Sequence, residues 1–402
     1  MLKKINRDIP QNHQKLISFF SIFTKKLGEK NFLLKEGMKI LIVYPRRIGD
    51  CVMLLPFLQN LRESRRNLNI TILGPKYFKE IMNNQNLYDK FIDFGKSAGP
   101  VSGREWIKNF KDIEKAYRNI KNEKFDIAIE PFGDAFATIY MRRFKADNYV
   151  GVNIGNLKKC LNYAATYNDD KHITFNCLTL LKEIGGKVEE KYLIPKIIPT
   201  MDWKEKKDQY IKDYNLDEKL VIGIHCGASI KIKQWQGYSE LVKLLLKKYK
   251  SIFIIFFADG QNDKQIKTII ESSKLVKENY IIIQKKLREY IDSLNLCDYI
   301  ISNDSSCGHL AAAQGIDVTV IYGPYLPVMG TPQGESKITL ISKELECKPC
   351  RSFQCKFGEE DIKCLKKISA KEVLDEVSKD IEENYKKLER IKNVNSFSYF
   401  TL

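Results

Sequence analysis

The run Lys39-Ile40-Leu41-Ile42-Val43-Tyr44, followed at once by Pro45-Arg46-Arg47-Ile48-Gly49-Asp50, decides the fold class. A short Ile- and Val-rich segment with no polar alternation reads as a strand covered on both faces of a parallel sheet. Gly49 permits a tight turn at the strand's carboxyl end, and Asp50 then begins a helix, where the helix dipole favours a carboxylate. Asp50 there either caps the helix or projects toward a ligand. No G-x-G-x-x-G follows the strand, so a dinucleotide-binding first turn is unsupported.

Working outward, the pattern repeats. Strands are predicted at Asn69–Leu73, Phe91–Phe94, Asp126–Glu130 and Tyr149–Val152, with helical stretches between several of them. A charged segment from Lys187 to Lys219, carrying Pro195 and Pro199, has no strong strand. Alternation then resumes at Leu220–His225, Ile252–Phe257, Tyr280–Ile283, Tyr299–Ser302, Val318–Tyr322 and Ile338–Ile341. Two βα runs separated by a linker predict two α/β domains with parallel sheets, at 38–200 and 201–368. Ligands of such sheets bind beyond the strands' carboxyl ends, and two sheets facing one another would make a cleft. Ser369-Ala370-Lys371-Glu372 has capping-box spacing and opens a last helix toward Arg390, within a closing segment 369–402.

Composition agrees. The chain has 402 residues, 44% hydrophobic and 29% charged, enough for two cored domains and unlike a disordered chain. Sixty-seven Lys plus Arg against 50 Asp plus Glu leave a net charge of +17. That favours an anionic partner, whether nucleic acid, acidic lipid or phosphorylated small molecule. No apolar run approaches the roughly 18–20 residues of a membrane span. Residues 1–37 read as an appendage in which Leu16, Phe19, Phe20 and Phe23 lie at helical spacing among Lys15, Lys25, Lys26 and Lys30. They form either an interfacial helix on anionic lipid or a helix packed on the body. The Leu16–Phe23 run lacks a cleavage site, so the ten cysteines are expected to be reduced thiols of a cytoplasmic protein, soluble or at a membrane surface.

Two further motifs follow strands in the second half. His225-Cys226-Gly227-Ala228-Ser229-Ile230-Lys231-Ile232-Lys233-Gln234-Trp235 places Gly and small residues where backbone amides can approach an anion, with a lysine beyond to neutralise phosphate. It is not a Walker loop, and alone it reads equally as an ordinary loop. Asp298 to Gly315 runs from a strand through the polar turn Asn303-Asp304-Ser305-Ser306 into a small-residue helix carrying His309 and ended by Gly315. Ser305 and Ser306 stand where free helix N–H groups bind a diphosphate, and His309 lies one turn further on the same face. In isolation, an aspartate cap and a core histidine would account for these residues.

Taken together these motifs resemble glycosyltransferase family 9, the lipopolysaccharide ADP-heptosyltransferases, over roughly residues 38–385. Ile48-Gly49-Asp50, the 225–235 motif, the 303–313 motif, and Cys347-x-x-Cys350 with Cys364-Leu365 stand in the family's order. The resemblance implies a GT-B fold: two Rossmann-like domains facing across a cleft, the first for the acceptor and the second for the nucleotide sugar. The closing helix would return to the first domain. It implies inversion of the anomeric centre with no metal and no cofactor. Asp50 matches the general base, Lys233 the diphosphate-binding lysine, and Asp304, Ser305, Ser306 and His309 the donor loop. Gly227, Ala228 and Ser229 join the donor site, and Asp263 takes the place of an acid on the ribose. Arg46 and Arg47 stand where many members have two small hydroxyl residues, and Ser306 where Gly is common, which bears on the donor's identity.

Arg46, Arg47, Arg62, Arg65 and Arg66 are candidate contacts to a phosphorylated glycolipid acceptor, the last three reading equally as a solvated face. Cys347, Cys350, Cys355 and Cys364 offer either four ligands for a structural metal or unliganded thiols. The expected activity is transfer of heptose from ADP-heptose to the inner core of lipopolysaccharide or lipooligosaccharide at the inner face of the inner membrane. The alternative within the class is another nucleotide sugar or surface glycan. Nucleic-acid binding is the rival from another class, but no aromatic platform or nucleic-acid motif supports it.

Overall fold

The computed structural model describes residues 26–29, 32–83, 85–95, 103–153, 155–168, 170–350, 354–358 and 361–382. These form two compact units. One comprises residues up to Thr200 together with Pro327–Gly334, the other Met201–Leu326 and residues from Glu335 onward.

In the first unit, β1 (Lys39–Val43), β2 (Asn69–Gly74), β3 (Lys90–Asp93), β4 (Lys124–Glu130), β5 (Lys145–Val152) and β6 (Tyr163–Ala165) make a parallel sheet ordered β3-β2-β1-β4-β5-β6. In the second, β7 (Leu220–His225), β8 (Ile252–Phe257), β9 (Tyr280–Ile283), β10 (Tyr299–Asn303), β11 (Asp317–Tyr322) and β12 (Ile338–Ser342) are ordered β12-β11-β10-β7-β8-β9. Counted from its own first strand, each sheet has the order 3-2-1-4-5-6, the doubly wound arrangement. Its direction of winding reverses between β1 and β4, and again between β7 and β10. The expected α/β class and parallel sheets are found. The three-residue edge strand β6 is an addition, too short to leave a periodic signal.

The inner strands β1, β7 and β8 are largely apolar and buried on both faces. Every residue of β7 and β8 is buried, as are the last four of β1. In the first unit Leu41, Val43, Leu73 and Ala128 of the sheet pack with Phe94, Tyr140 and Phe144. In the second, Ile222, Ile224, Ile254 and Phe256 pack with Trp235, Tyr238 and Leu241.

The closing helix opens as its sequence predicts, Ser369 Oγ accepting the Glu372 amide at 3.1 Å. Its described portion, 370–382, buries Val373, Val377 and Ile381 in the second unit's core. Residues 383–402, along which the expected return to the first domain would continue, lie outside the described ones. The appendage also divides differently from expectation. Leu27 N–H donates to the Lys159 carbonyl, Leu34 N–H to that of Ile184, and Phe32 and Leu34 are buried. Residues 26–29 and 32–37 thus belong to the first unit's body. Leu16, Phe19, Phe20 and Phe23 lie outside the described residues.

Candidate functional site

Each unit gathers polar side chains at its point of reversal. In the first, the chain leaves β1 through Tyr44-Pro45-Arg46-Arg47 and enters the helix Ile48–Ser64. Asp50 is the third residue of that helix. Its Oδ2 accepts the Arg47 amide at 3.3 Å, and its backbone carbonyl accepts Tyr44 OH at 2.9 Å. Arg46 Nε lies 3.2 Å from Asp50 Oδ2, an ion pair rather than a well-aligned hydrogen bond. Its Nη1 donates to Asp134 Oδ2 at 3.0 Å, and its guanidinium stacks 3.8 Å above the Phe132 ring. Phe132 and Asp134 come from the turn after β4, which Glu130 shapes. The buried Glu130 carboxyl accepts the amides of Phe132 at 3.1 Å and Gly133 at 2.7 Å. Burial, with the charge of Asp134 adding, pushes its pKa up to about 8, although the backbone amides of Asp134, Gly133 and Phe132 pull the other way.

Asp134, Glu130 and Phe132 escaped the sequence reading. A signal existed: an acid at a strand's carboxyl end, then Gly133-Asp134, repeats the Gly49-Asp50 pattern after β1.

Not every predicted arginine belongs here. Arg46 is shared by two carboxylates, Asp50 and Asp134. Arg47 is exposed at the helix's N-terminus and remains a candidate acceptor contact. Arg62 donates to the Leu68 carbonyl and pairs with Asp89 at 3.0 Å. Arg65 donates to the carbonyls of Leu34, Ser64 and Gly185. Both stand near the far end of the 17-residue helix, about 18–22 Å along its axis from Asp50, beside the amino ends of the strands. Arg66 is exposed at that same end. These three arginines do not join Asp50, because helical spacing carries them away from the carboxyl edge of the sheet.

In the second unit, β7 ends at His225 and the loop Cys226-Gly227-Ala228-Ser229 follows. Asn303, the last residue of β10, braces it. Asn303 Nδ2 donates to the Cys226 carbonyl at 2.6 Å and the Gly227 carbonyl at 3.3 Å, while its Oδ1 accepts the Trp235 amide at 3.2 Å. A Cβ on Gly227 would lie 3.1–3.2 Å from Asp259 Oδ2, Asn262 Nδ2 and His225 Nε2. The tight approach explains the glycine. Ala228 is buried and Ser229 exposed.

The short turn Lys231–Lys233 carries Lys233 to the loop after β10. Its Nζ lies 2.7 Å from Asp304 Oδ2 and 4.6 Å from the centre of the Tyr325 ring. Ser305 is the N-cap of the helix Ser306–Ala312, yet its hydroxyl makes no cap bond and is buried with no partner among the described residues. His309 is buried within that helix. The helix ends as predicted: Gly315, at φ +77, and Ile316 return their amides to the carbonyls of Ala312 and Ala311.

Lys233, Asp304, Ser305 and Ser306 are thus brought to one edge of the sheet. Asp263 fares differently, standing exposed as the first residue of the next helix and accepting from Gln284 at 3.3 Å. The carboxylate placed against Gly227 is Asp259, directly at the carboxyl end of β8. Its signal was the position itself, in Phe256-Phe257-Ala258-Asp259-Gly260. The cysteines carry free thiols, and Cys350 and Cys355 Sγ reach the carbonyls of Cys347 and Asp361. Among the described residues no group of His, Cys, Asp and Glu is arranged to hold a metal ion.

The sequence profile described as "Glycosyltransferase family 9 (heptosyltransferase)" matches residues 113–360. The chain is 22% identical over 359 residues to a lipooligosaccharide heptosyltransferase 2 of Campylobacter jejuni, covering 85% of this chain and 99% of that one. In structure it is similar to a family 9 glycosyltransferase from Veillonella parvula, with TM-score 0.68, 18% identity, and 88% and 100% of the two chains covered. It is also similar to the ADP-heptose lipopolysaccharide heptosyltransferase II of E. coli, with TM-score 0.66, 16% identity, and 87% and 100% covered. These structural likenesses establish the fold as GT-B. With more than half its length matched by the family profile, this chain belongs to glycosyltransferase family 9 and is a glycosyltransferase.

Proposed function

We propose that this enzyme transfers heptose from ADP-heptose to the inner core of a lipopolysaccharide or lipooligosaccharide acceptor, inverting the anomeric centre without a metal ion. The observation that carries the reading is the pair of switch-point sites: a carboxylate base candidate in the first unit and a Lys233–Asp304 pair beside Ser305 in the second. The names of the Campylobacter and E. coli relatives support the sugar and the acceptor.

In this mechanism an acceptor hydroxyl attacks the anomeric carbon while Asp50 takes its proton. The bond from that carbon to the diphosphate oxygen breaks, and ADP leaves with the electron pair. A single displacement inverts the configuration. Charge grows on the leaving diphosphate, and Lys233, with the N–H groups at the start of Ser306–Ala312, supplies fixed positive potential there. Asp304 and the Tyr325 ring hold the lysine in place before the donor arrives.

The net charge of +17 suits a phosphorylated glycolipid in the anionic leaflet at the inner face of the inner membrane. No helix among the described residues is long and apolar enough to cross a membrane, so attachment there would be peripheral. Deleting residues 1–25 and sedimenting the protein with anionic vesicles tests the proposed role of that segment: binding should fall, and unchanged binding assigns the contact elsewhere.

The decisive assay incubates the protein with ADP-heptose and a heptose-deficient, delipidated acceptor. One ADP should be released per heptose added, product NMR should show inverted anomeric configuration, and activity should persist in EDTA. Consumption of a different nucleotide sugar in preference to ADP-heptose overturns the donor assignment. Activity lost in EDTA and restored by Mg²⁺ overturns the metal-free mechanism.

A further inference from the structure

We infer that Arg46 is a positioning residue for the base, fixed by Asp134 and Phe132 so that Asp50 presents one chosen carboxylate oxygen to the acceptor hydroxyl. The inference rests on the reading of Asp50 as general base. The guanidinium is restrained on three sides: Asp134 Oδ2 at 3.0 Å, the face of Phe132 at 3.8 Å, and Asp50 Oδ2 at 3.2 Å. Asp134 is restrained in its turn, since its Oδ1 accepts the Ala137 amide at 2.8 Å as cap of the helix Ala135–Met141. Phe132 sits in the turn whose amides are held by Glu130.

Among the described residues both contacts to the Asp50 side chain, from Arg46 and from the Arg47 amide, fall on Oδ2. Oδ1 is therefore the oxygen available to the incoming proton. A planar, delocalised cation can stack on an aromatic ring while donating to one carboxylate and ion-pairing with a second, and lysine cannot reproduce that geometry. Asp50, Arg46 and Asp134 together carry one net negative charge, which suits a proton acceptor rather than a phosphate-binding site. Without the guanidinium, Asp50 would sample other rotamers, and small misplacements of a reacting group are costly in rate.

The test is steady-state kinetics on Arg46→Met, Arg46→Lys and Asp134→Asn, each alone and combined with Asp50→Asn. Asn at 134 keeps a cap acceptor, so that variant serves where an Arg46 replacement disturbs folding. Arg46→Met should lower kcat by roughly 10²-fold with acceptor and donor KM held within about twofold. Arg46→Lys should recover only part of the loss, and Asp134→Asn should cost about 3–10-fold in kcat. In the Asp50→Asn background these replacements should cost nothing further, because a positioning residue acts only through the group it positions. Losses that add fully to that of Asp50→Asn, or an increase in acceptor KM at unchanged kcat, overturn the inference and return Arg46 to acceptor binding. Wild-type turnover in Asp50→Asn alone removes the base reading itself, a distinct result that takes this inference with it.

Discussion

The two units solve the same geometric problem with different charge balance. In each, a cation from the loop after the first strand reaches an aspartate from the loop after the fourth: Arg46 to Asp134 at 3.0 Å, and Lys233 to Asp304 at 2.7 Å. In each, the cation also lies over an aromatic ring, Phe132 or Tyr325. The first unit adds a second carboxylate, Asp50, to its cation; the second adds Ser305, at the N-cap position, whose hydroxyl has no partner among the described residues. On the proposed mechanism, one topology serves proton acceptance in the first unit and anion binding in the second. The difference lies in what the loops carry, as expected when function is grafted onto a common sheet.

The largest effects should fall on these two charges. Asp50→Asn should retain ADP binding and lose turnover by roughly 10²–10⁴-fold, measured by ADP release and calorimetry. Lys233→Ala should lower kcat by roughly 10²–10³-fold and weaken ADP as well, because positive potential at the diphosphate serves the bound donor and more strongly the transition state. If Asp50→Asn weakens ADP binding while Lys233→Ala leaves it intact, the division of labour between the units is wrong.

A third prediction concerns the strand ends themselves. Glu130 closes β4 and Asn303 closes β10, so equivalent positions hold one titrating and one neutral brace. Glu130 is raised from 4.5 to about 8 by burial. The folded state therefore retains its proton more tightly than the unfolded chain does. Its contribution to stability is full below about 4.5 and is lost as pH rises through about 8. Denaturation should show the wild type losing stability relative to Glu130→Gln as pH rises across that window, by on the order of a few kcal/mol. A difference independent of pH rejects the buried proton.

The counterpart is smaller. Asn303→Ala removes the brace on the Cys226 and Gly227 carbonyls and should cost about 2–3 kcal/mol, with no slope between pH 5 and 8 from this position. A matching pH slope in both variants would erase the contrast between the strand ends.

What the sequence determined by itself was the architecture. Val- and Ile-rich runs buried on both faces announce a parallel sheet locally, and eleven of the twelve strands among the described residues lie where the sequence predicts them. Ser369 as a cap and Gly315 as a helix end were equally legible, since a cap depends only on neighbours in the chain. The resemblance to a known family, carried by three motifs at strand ends, likewise needed no coordinates. Partnership is another matter. Arg62 and Arg65, candidate acceptor contacts, share the helix of Asp50, but a helix rises about 1.5 Å per residue and carries them to its other end. Asp134 is 88 residues from Arg46, and nothing in either segment names the other. Only the order of the strands, which sets β1 beside β4 and β7 beside β10, decided which charges meet, because electrostatic contacts depend on distance through space and the sheet converts sequence separation into a few ångströms.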